Sequence, residues 1–296
     1  MGEGRSFRLG VAYAAVCVIW GSTYLAIKVG LESFDPFFYA GVRYVLAAAV
    51  TFAVAKARGV PFPGPLSRWW PALGIGVLLI GLSTGMVFWA ETRIDSGLTA
   101  LLLTTSPLAT AALSPLVRGE PGPRLLGWIG IGAGLVGTTI LVEPWHAGAV
   151  DLLGAVVGAS SVVAWALGSL WVRRVRERFH PMALSVAQMA AGAPLLLAVS
   201  AISGRAVVGP VTVRAVASLG YLVVFGSVVG FAAYFYLLKH WDATTVSTST
   251  YVNPVVAVIL GALILGESVT VPMVVGTVVV LAGVTLVLRE QRAVQS

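Results

Sequence analysis

The chain has 296 residues, of which 58% are hydrophobic and only 10% are charged. About a quarter of the residues of a soluble domain are charged, so this composition excludes an ordinary globular protein and indicates an integral membrane protein. Because the basic residues stand in short loops beside apolar segments, the net charge of +7 does not indicate a nucleic-acid-binding protein. The single cysteine, Cys17, excludes a disulfide scaffold.

Ten apolar segments follow one another along the chain. Each is about 20 residues long, which is enough to cross a bilayer as a helix. The sequence therefore predicts an all-α integral membrane protein with ten transmembrane helices, at residues 9–30, 36–55, 69–90, 96–117, 125–142, 152–172, 181–204, 215–238, 243–266 and 268–288.

The distribution of Lys and Arg predicts the orientation of these helices. Fourteen basic residues fall on the side that carries both termini, four fall on the other side, and Arg43 lies inside a span. Because cytoplasmic loops are enriched in Lys and Arg, both termini are predicted to be cytoplasmic. A bacterial-type inner membrane is the predicted location.

An internal repeat divides the chain into two five-helix units, at residues 1–147 and 148–296. Offsets of 145 to 147 residues align residues in collinear order, among them the scarce Trp20 with Trp165, Pro36 with Pro181 and Pro107 with Pro254, together with the glycine pairs Gly130 with Gly276 and Gly137 with Gly283. An odd number of helices makes the second unit enter from the opposite face. The units are predicted to be inverted repeats, which enclose a substrate site near the midplane in many transporters.

Helix 1 carries aromatic and basic side chains on one face. Trp20, Tyr24 and Lys28 recur at intervals of four residues. We expect Trp20, Tyr24 and the repeat counterpart Trp165 to line a cavity, where rings hold apolar groups or cations. Helix packing is the alternative. Lys28 is assigned to an outer gate with Glu91, which has no acidic counterpart in the second repeat. A proton site at Glu91, or a solvated ion pair of Glu91 with Lys28, is the alternative.

Arg43 is the one charged residue well inside an apolar segment. Charge at that depth is costly and usually faces a polar pathway. Arg43 is expected either to bind a substrate carboxylate or to pair with Glu91 or Asp35. A structural arginine bound to backbone carbonyls is the alternative. Its repeat counterpart is Gln188.

Further aromatic residues stand near the ends of helices 3 and 8. Trp89 and Tyr234 are assigned to the substrate site, with an interfacial aromatic belt as the alternative.

Helices 4 and 9 each contain a central proline, Pro107 and Pro254, which we expect to act as hinges because proline removes a backbone hydrogen bond. Polar residues surround both prolines, and we expect them to supply groups of a membrane binding site. Those assigned to substrate are Ser106, Thr248, Tyr251 and Asn253. Hydrogen bonding of Ser and Thr to the kinked backbone itself is the alternative. Glu120 and Glu267 each precede a helix and are predicted to cap that helix.

Several short strings carry a resemblance to a known family. Trp20-Gly21-Ser22-Thr23-Tyr24, Phe88-Trp89-Ala90-Glu91 followed by Ser96-Gly97, and the Gly-Glu pairs after helices 4 and 9 occur in order over both repeats. In these features the chain resembles the EamA-type branch of the drug/metabolite transporter superfamily. The resemblance implies a ten-helix exporter of amino acids, metabolites or drugs, with a cavity lined mainly by helices 1, 3, 4, 6, 8 and 9.

The predicted function is a secondary transporter that exports apolar or aromatic amino acids, or similar metabolites, by alternating access. A multidrug exporter of cationic compounds is the alternative within transporters. An integral-membrane enzyme is the alternative outside them, and neither a catalytic set nor a metal site can be assembled from the sequence. No cofactor is predicted. The predicted partners are a small-molecule substrate and the lipid bilayer, with proton coupling left open, and the functional unit is expected to be a monomer.

Overall fold

The computed structural model describes residues 3–62, 64–116, 122–143, 150–175, 178–238, 240 and 249–295. Ten helices lie within these ranges. Nine are long and apolar enough to cross a membrane, and the described part of α9 is a shorter apolar helix. The helices are α1 (Glu3–Leu31), α2 (Pro36–Ala57), α3 (Trp70–Ala90), α4 (Ser96–Leu116), α5 (Leu125–Val142), α6 (Leu152–Val175), α7 (Pro181–Ser203), α8 (213–238), α9 (249–265) and α10 (Val271–Gln295).

The prediction of an all-α membrane fold is confirmed. Many large side chains project outward from the bundle, including Leu135 at 66% exposure, Val278 at 63% and Leu263 at 79%. Contiguous apolar surface of this kind is unfavourable in water but suits hydrocarbon. The predicted helix 9 extended back to residue 243, and its first six residues lie outside the described ranges.

The helix starts follow the repeat. Asp35 Oδ1 accepts the amide hydrogens of Phe37 and Phe38, each at 3.0 Å, at the start of α2. At the corresponding start of α7, His180 Nδ1 accepts the amide hydrogen of Met182 at 3.2 Å. In both cases proline follows the capping residue, where its missing N–H costs nothing.

Two departures from regular α-helix correspond between the repeats. A π-helical segment occupies Val77–Thr84 within α3 and another occupies Leu222–Val229 within α8, at an offset of 145 residues. Wide turns of this kind are rare and often lie near functional sites. Because they coincide in both units, they are built into the repeated fold.

Helix packing shows the inverted symmetry of the repeats. α2 packs against α7, and α5 packs against α10, so each pair joins equivalent helices of the two units. α1 packs against α8 and α9, and its equivalent α6 packs against α3 and α4. Each unit therefore supplies one helix that inserts between two helices of the other.

Glycines make close contacts between α5 and α10. A Cβ atom built on Gly130 would lie 2.6 Å from the carbonyl oxygen of Gly283, and one on Gly137 would lie 2.8 Å from that of Gly276. In the sequence, Gly130 is equivalent to Gly276 and Gly137 to Gly283. The crossed contacts are those that a two-fold axis between antiparallel helices requires.

Substitution of Gly283 by alanine should lower the thermal unfolding midpoint of the purified protein in detergent. The new Cβ would lie 2.4 Å from the carbonyl oxygen of Gly130, so α5 and α10 must separate, at a cost of about 1–3 kcal/mol. Gly132→Ala is the matched control, because its Cβ would meet open space and alanine favours helix. Equal midpoints for the two variants would contradict the packing role of Gly283.

Candidate functional site

Arg43 lies where helices of both repeats converge. Its side chain is buried, and its guanidinium carbon lies 4.9 Å from the centre of the Tyr44 ring and 5.9 Å from that of Phe88 in α3. A Cβ atom built on Gly226 of α8 would lie 3.2 Å from Arg43 Nη2 and 3.1 Å from the methyl group of Thr23 in α1. The guanidinium thus sits among α1, α2, α3 and α8.

Within the described residues, the Arg43 Nε has no hydrogen-bond partner. A buried donor without a partner carries the full cost of its desolvation. Neither Glu91 nor Asp35 forms an ion pair with Arg43 among these residues, and Asp35 instead caps α2. The guanidinium is therefore left with unused capacity to bind an anion.

Lys28, Glu91, Ser96 and Glu267 come together at one end of the bundle, which we call the Lys28 end. Lys28 Nζ donates to the backbone carbonyl oxygens of Glu91 and Ile94, at 2.7 Å each. It thereby binds the carbonyl end of α3, where a cation is favoured by the helix dipole. The predicted pairing of Lys28 with Glu91 thus runs through the backbone carbonyl, and the Glu91 side chain is completely buried.

Glu267 caps a helix of the other repeat. Its Oε1 accepts the amide hydrogen of Ser96 at 2.9 Å, and its Oε2 accepts from Ser96 Oγ at 2.9 Å and from the amide of Gly97 at 3.0 Å. The prediction that Glu267 caps the helix that follows it is wrong. Because α4 and α9 cross, the start of α4 lies within hydrogen-bond distance of the Glu267 carboxylate. Glu120, its repeat counterpart, lies outside the described residues.

The aromatic residues of α1 pack against α8. The Trp20 ring lies 5.2 Å from the Tyr234 ring, and Gly230 leaves room for the Trp20 indole, since a Cβ there would lie 2.6 Å from Nε1. Tyr24 is half-buried one turn nearer the Lys28 end. The structure thus brings Trp20 and Tyr234 together at the interface of the two repeats.

Trp165 has a different environment from its counterpart Trp20. It is 44% exposed, although Ser161 and Gly158, one and two turns away on the same face of α6, are buried. That face packs on α3 and α4, with Gly158 against Ala90 and Leu102. Trp165 thus lies on the packing face of α6 but keeps nearly half of its surface exposed.

The polar residues of α4 mainly satisfy its own backbone. The helix is interrupted at Thr104 and Thr105 and resumes at Ser106, the residue before Pro107. Ser106 Oγ donates to the Leu103 carbonyl at 2.6 Å, and Thr105 Oγ1 donates to that of Leu102 at 2.7 Å. These hydroxyl hydrogens are occupied, and the break lies where the hinge was predicted.

In α9 the helix continues through Pro254, within Ser249–Leu260. The Asn253 amide, with its nitrogen facing two carbonyls, donates to Ser249 at 2.9 Å and to Cys17 of α1 at 3.2 Å. Tyr251 packs against an apolar cluster of α4, α5 and α10. Thr248 lies outside the described residues.

Trp89 lies apart from Arg43, toward the surface. The Arg93 guanidinium covers its ring at 4.7 Å, and Arg93 also forms an ion pair with Asp151 at 2.9 Å. The Asp151 carboxylate accepts the amide hydrogen of Gly154, and this bond together with Arg93 lowers the pKa of Asp151 below its ordinary value. Trp89 thus stands beside an exposed polar cluster.

Comparison with known proteins gives matches over nearly the whole chain. The family model described as the EamA-like transporter family matches twice, at residues 8–143 and 152–289. An uncharacterized inner membrane transporter of Escherichia coli K12, YedA, is 35% identical over 265 residues, which cover 87% of this chain and 83% of YedA.

A second Escherichia coli relative, a probable amino-acid metabolite efflux pump, is 27% identical over 287 residues, covering 93% of this chain and 92% of the pump. A solved crystal structure has a TM-score of 0.65 at 20% identity, over 96% of this chain and 98% of the other. At that identity the structural match supports the fold alone.

Proposed function

The chain belongs to the EamA-like transporter family, and from that premise we propose that it exports apolar or aromatic amino acids, or similar small metabolites, by alternating access of its two repeats. It is a multi-pass membrane protein, and family membership favours transport over catalysis. The proposed site is the space between the repeats that Arg43, Trp20, Tyr24, Tyr234 and Trp165 surround.

The observation that carries this proposal is the buried guanidinium of Arg43. It is a fixed positive charge with an unused donor, and helices of both repeats approach it. A guanidinium binds a carboxylate through two parallel hydrogen bonds, which gives both affinity and orientation. An amino acid bound there would place its side chain among aromatic rings, which favours apolar and aromatic side chains.

The relatives support this substrate class. One relative is named as a probable amino-acid metabolite efflux pump, and it aligns with nearly the whole of this chain. Export is proposed from that name and from the family, since alternating access itself operates in both directions.

One observation favours the alternative of a cationic substrate. A membrane-embedded carboxylate is the usual partner of a cation, and Glu91 is a completely buried carboxyl group. A counterflow assay in liposomes decides between the two substrate classes.

We expect counterflow of labelled L-phenylalanine or L-leucine in liposomes that contain the purified protein, and none in protein-free liposomes. Each of the twenty amino acids is loaded in turn, unlabelled and at high concentration, inside the liposomes. Uptake of the labelled amino acid, present outside in trace amount, is followed over time. Ethidium, a cationic dye, is measured in parallel. Dye flux without counterflow of any amino acid would overturn the amino-acid proposal and favour the cationic alternative.

A further inference from the structure

Glu91 is a charged residue type for which the described part of the chain provides no hydrogen-bond or ion-pair partner. It is the first residue after the Trp70–Ala90 span, its exposure is 0%, and neither carboxyl oxygen has a hydrogen-bond partner among the described residues. Among those residues it also forms no ion pair. This contrasts with Glu267 at the same end of the bundle, whose carboxylate accepts three hydrogen bonds.

The charged groups that face Glu91 come from several elements. Lys28 of α1, Arg43 of α2 and Glu267 after α9 act on it electrostatically, and Glu91 in turn acts on the hydroxyl groups of Tyr24 and Tyr39. Asp95, just before α4, interacts with Lys28 and Glu267. Helix α6, which packs against the end of α3, has no ionisable residue between Leu152 and Trp171.

The two nearby cations do not compensate for burial. Lys28 Nζ is engaged by two backbone carbonyls, and Arg43 forms no ion pair among the described residues. An ionised carboxylate removed from water without a partner costs several kcal/mol, and such a group takes up a proton instead. Burial accordingly raises the pKa of Glu91 well above its ordinary value, although Lys28 and Arg43 oppose the effect.

We propose that Glu91 binds a proton when the Lys28 end closes and releases it when water enters that end, so that closure is linked to uptake of one proton. The step forms one O–H bond on a carboxyl oxygen with a proton taken from solvent, and it needs no other reactant. The proposal concerns closure of the bundle and does not depend on the identity of the substrate.

The expected pH dependence follows from the direction of the shift. Below the ordinary pKa of glutamic acid, about 4.3, Glu91 is protonated whether the end is open or closed. Above it, the open form is ionised and closure must take up a proton. The closed form of the Lys28 end therefore becomes less favoured as the pH rises above the ordinary pKa of glutamic acid and through the raised pKa of Glu91 in the closed form.

Infrared difference spectroscopy tests the protonated state directly. We expect the wild-type protein at neutral pH to show the carbonyl stretch of a protonated carboxyl group, shifted in D₂O, and Glu91→Gln to lack it. Glu32→Gln, which removes an exposed carboxyl near the same end, is the control and should keep the band. Persistence of the band in Glu91→Gln, or its absence from the wild type, would overturn the proposal.

Thiol labelling tests the link to closure. Thr99 is completely buried one turn into α4 at the Lys28 end, and Thr99→Cys is introduced together with Cys17→Ala as a reporter. In purified protein, the labelling rate of Thr99→Cys should rise several-fold between pH 5 and pH 8. A fully exposed cysteine reporter, labelled at the same pH values, corrects for the pH dependence of the thiol itself. Glu91→Gln should abolish that rise. A pH dependence that persists in Glu91→Gln would contradict the proposal even if the infrared result holds.

Discussion

Replacement of Arg43 by glutamine should weaken binding of L-phenylalanine by about 10- to 100-fold, because a hydrogen bond to a charged group contributes about 1.5–3 kcal/mol. L-Phenylalaninamide lacks the carboxylate, so its binding should change little. The expected result is a loss of discrimination between the two ligands, measured by equilibrium binding to the purified protein. The physical reason is that, among the described residues, the buried Arg43 Nε of the wild type has no hydrogen-bond partner.

Two further variants separate binding from folding. Arg43→Lys keeps the charge but loses the planar fork, so we expect intermediate discrimination. Arg93→Gln removes a positive charge from an exposed ion pair with Asp151 and should leave discrimination unchanged. An equal loss of affinity for both ligands in Arg43→Gln would assign Arg43 to the structure of the bundle and remove it from the proposed site.

The sequence predicted the architecture well because membrane insertion acts on each segment separately. Hydrophobic length determines a span, and both the apolar runs and the repeated prolines Pro36 and Pro181 are local features. The repeat also identified Gly130 as equivalent to Gly276 and Gly137 as equivalent to Gly283. The contacts of these glycines between α5 and α10 came from the structure, where their crossed pairing agrees with that equivalence.

The candidate site was less accessible to such reasoning because it depends on how helices cross. Glu267 stands directly before the helix it was predicted to cap, yet it caps α4 across the repeat interface. Only the recurrence of the Gly-Glu pairs marked that position in the sequence. Ser106 was assigned to substrate by its polarity, while the distance to the Leu103 carbonyl shows where its hydroxyl hydrogen is used.

Equivalent residues of the two repeats occupy different environments. Trp20 packs on Tyr234, whereas Trp165 is 44% exposed. Lys28 is bound to carbonyls at the end of α3, whereas its counterpart Arg173 is exposed. Under the proposed alternating access of the two repeats, this asymmetry corresponds to one state, and we infer that the Lys28 end is closed in it.

At the Lys28 end, Glu267 connects the two repeats directly. Its carboxylate satisfies two amide hydrogens at the start of α4, which have no partner within that helix. Gly261 leaves the necessary space, because a Cβ there would lie 2.2 Å from Glu267 Oε2. Opening the Lys28 end must either break these hydrogen bonds or move α4 and α9 together. The strength of the hydrogen bonds therefore contributes to the balance between the open and closed states of this end.

Glu267→Gln should therefore open the Lys28 end and raise the labelling rate of the Thr99→Cys reporter by about 10-fold, since loss of one charge-assisted hydrogen bond costs about 1.5 kcal/mol or more. Glu290→Gln is the matched control. Glu290 caps the start of α5 in the same way, through the amides of Arg124 at 2.7 Å and Gly127 at 3.0 Å, but within the α5–α10 pair. It should lower the unfolding midpoint without changing the labelling rate. If both variants raise the rate equally, the carboxylate of Glu267 stabilises the fold in general and does not hold this end closed.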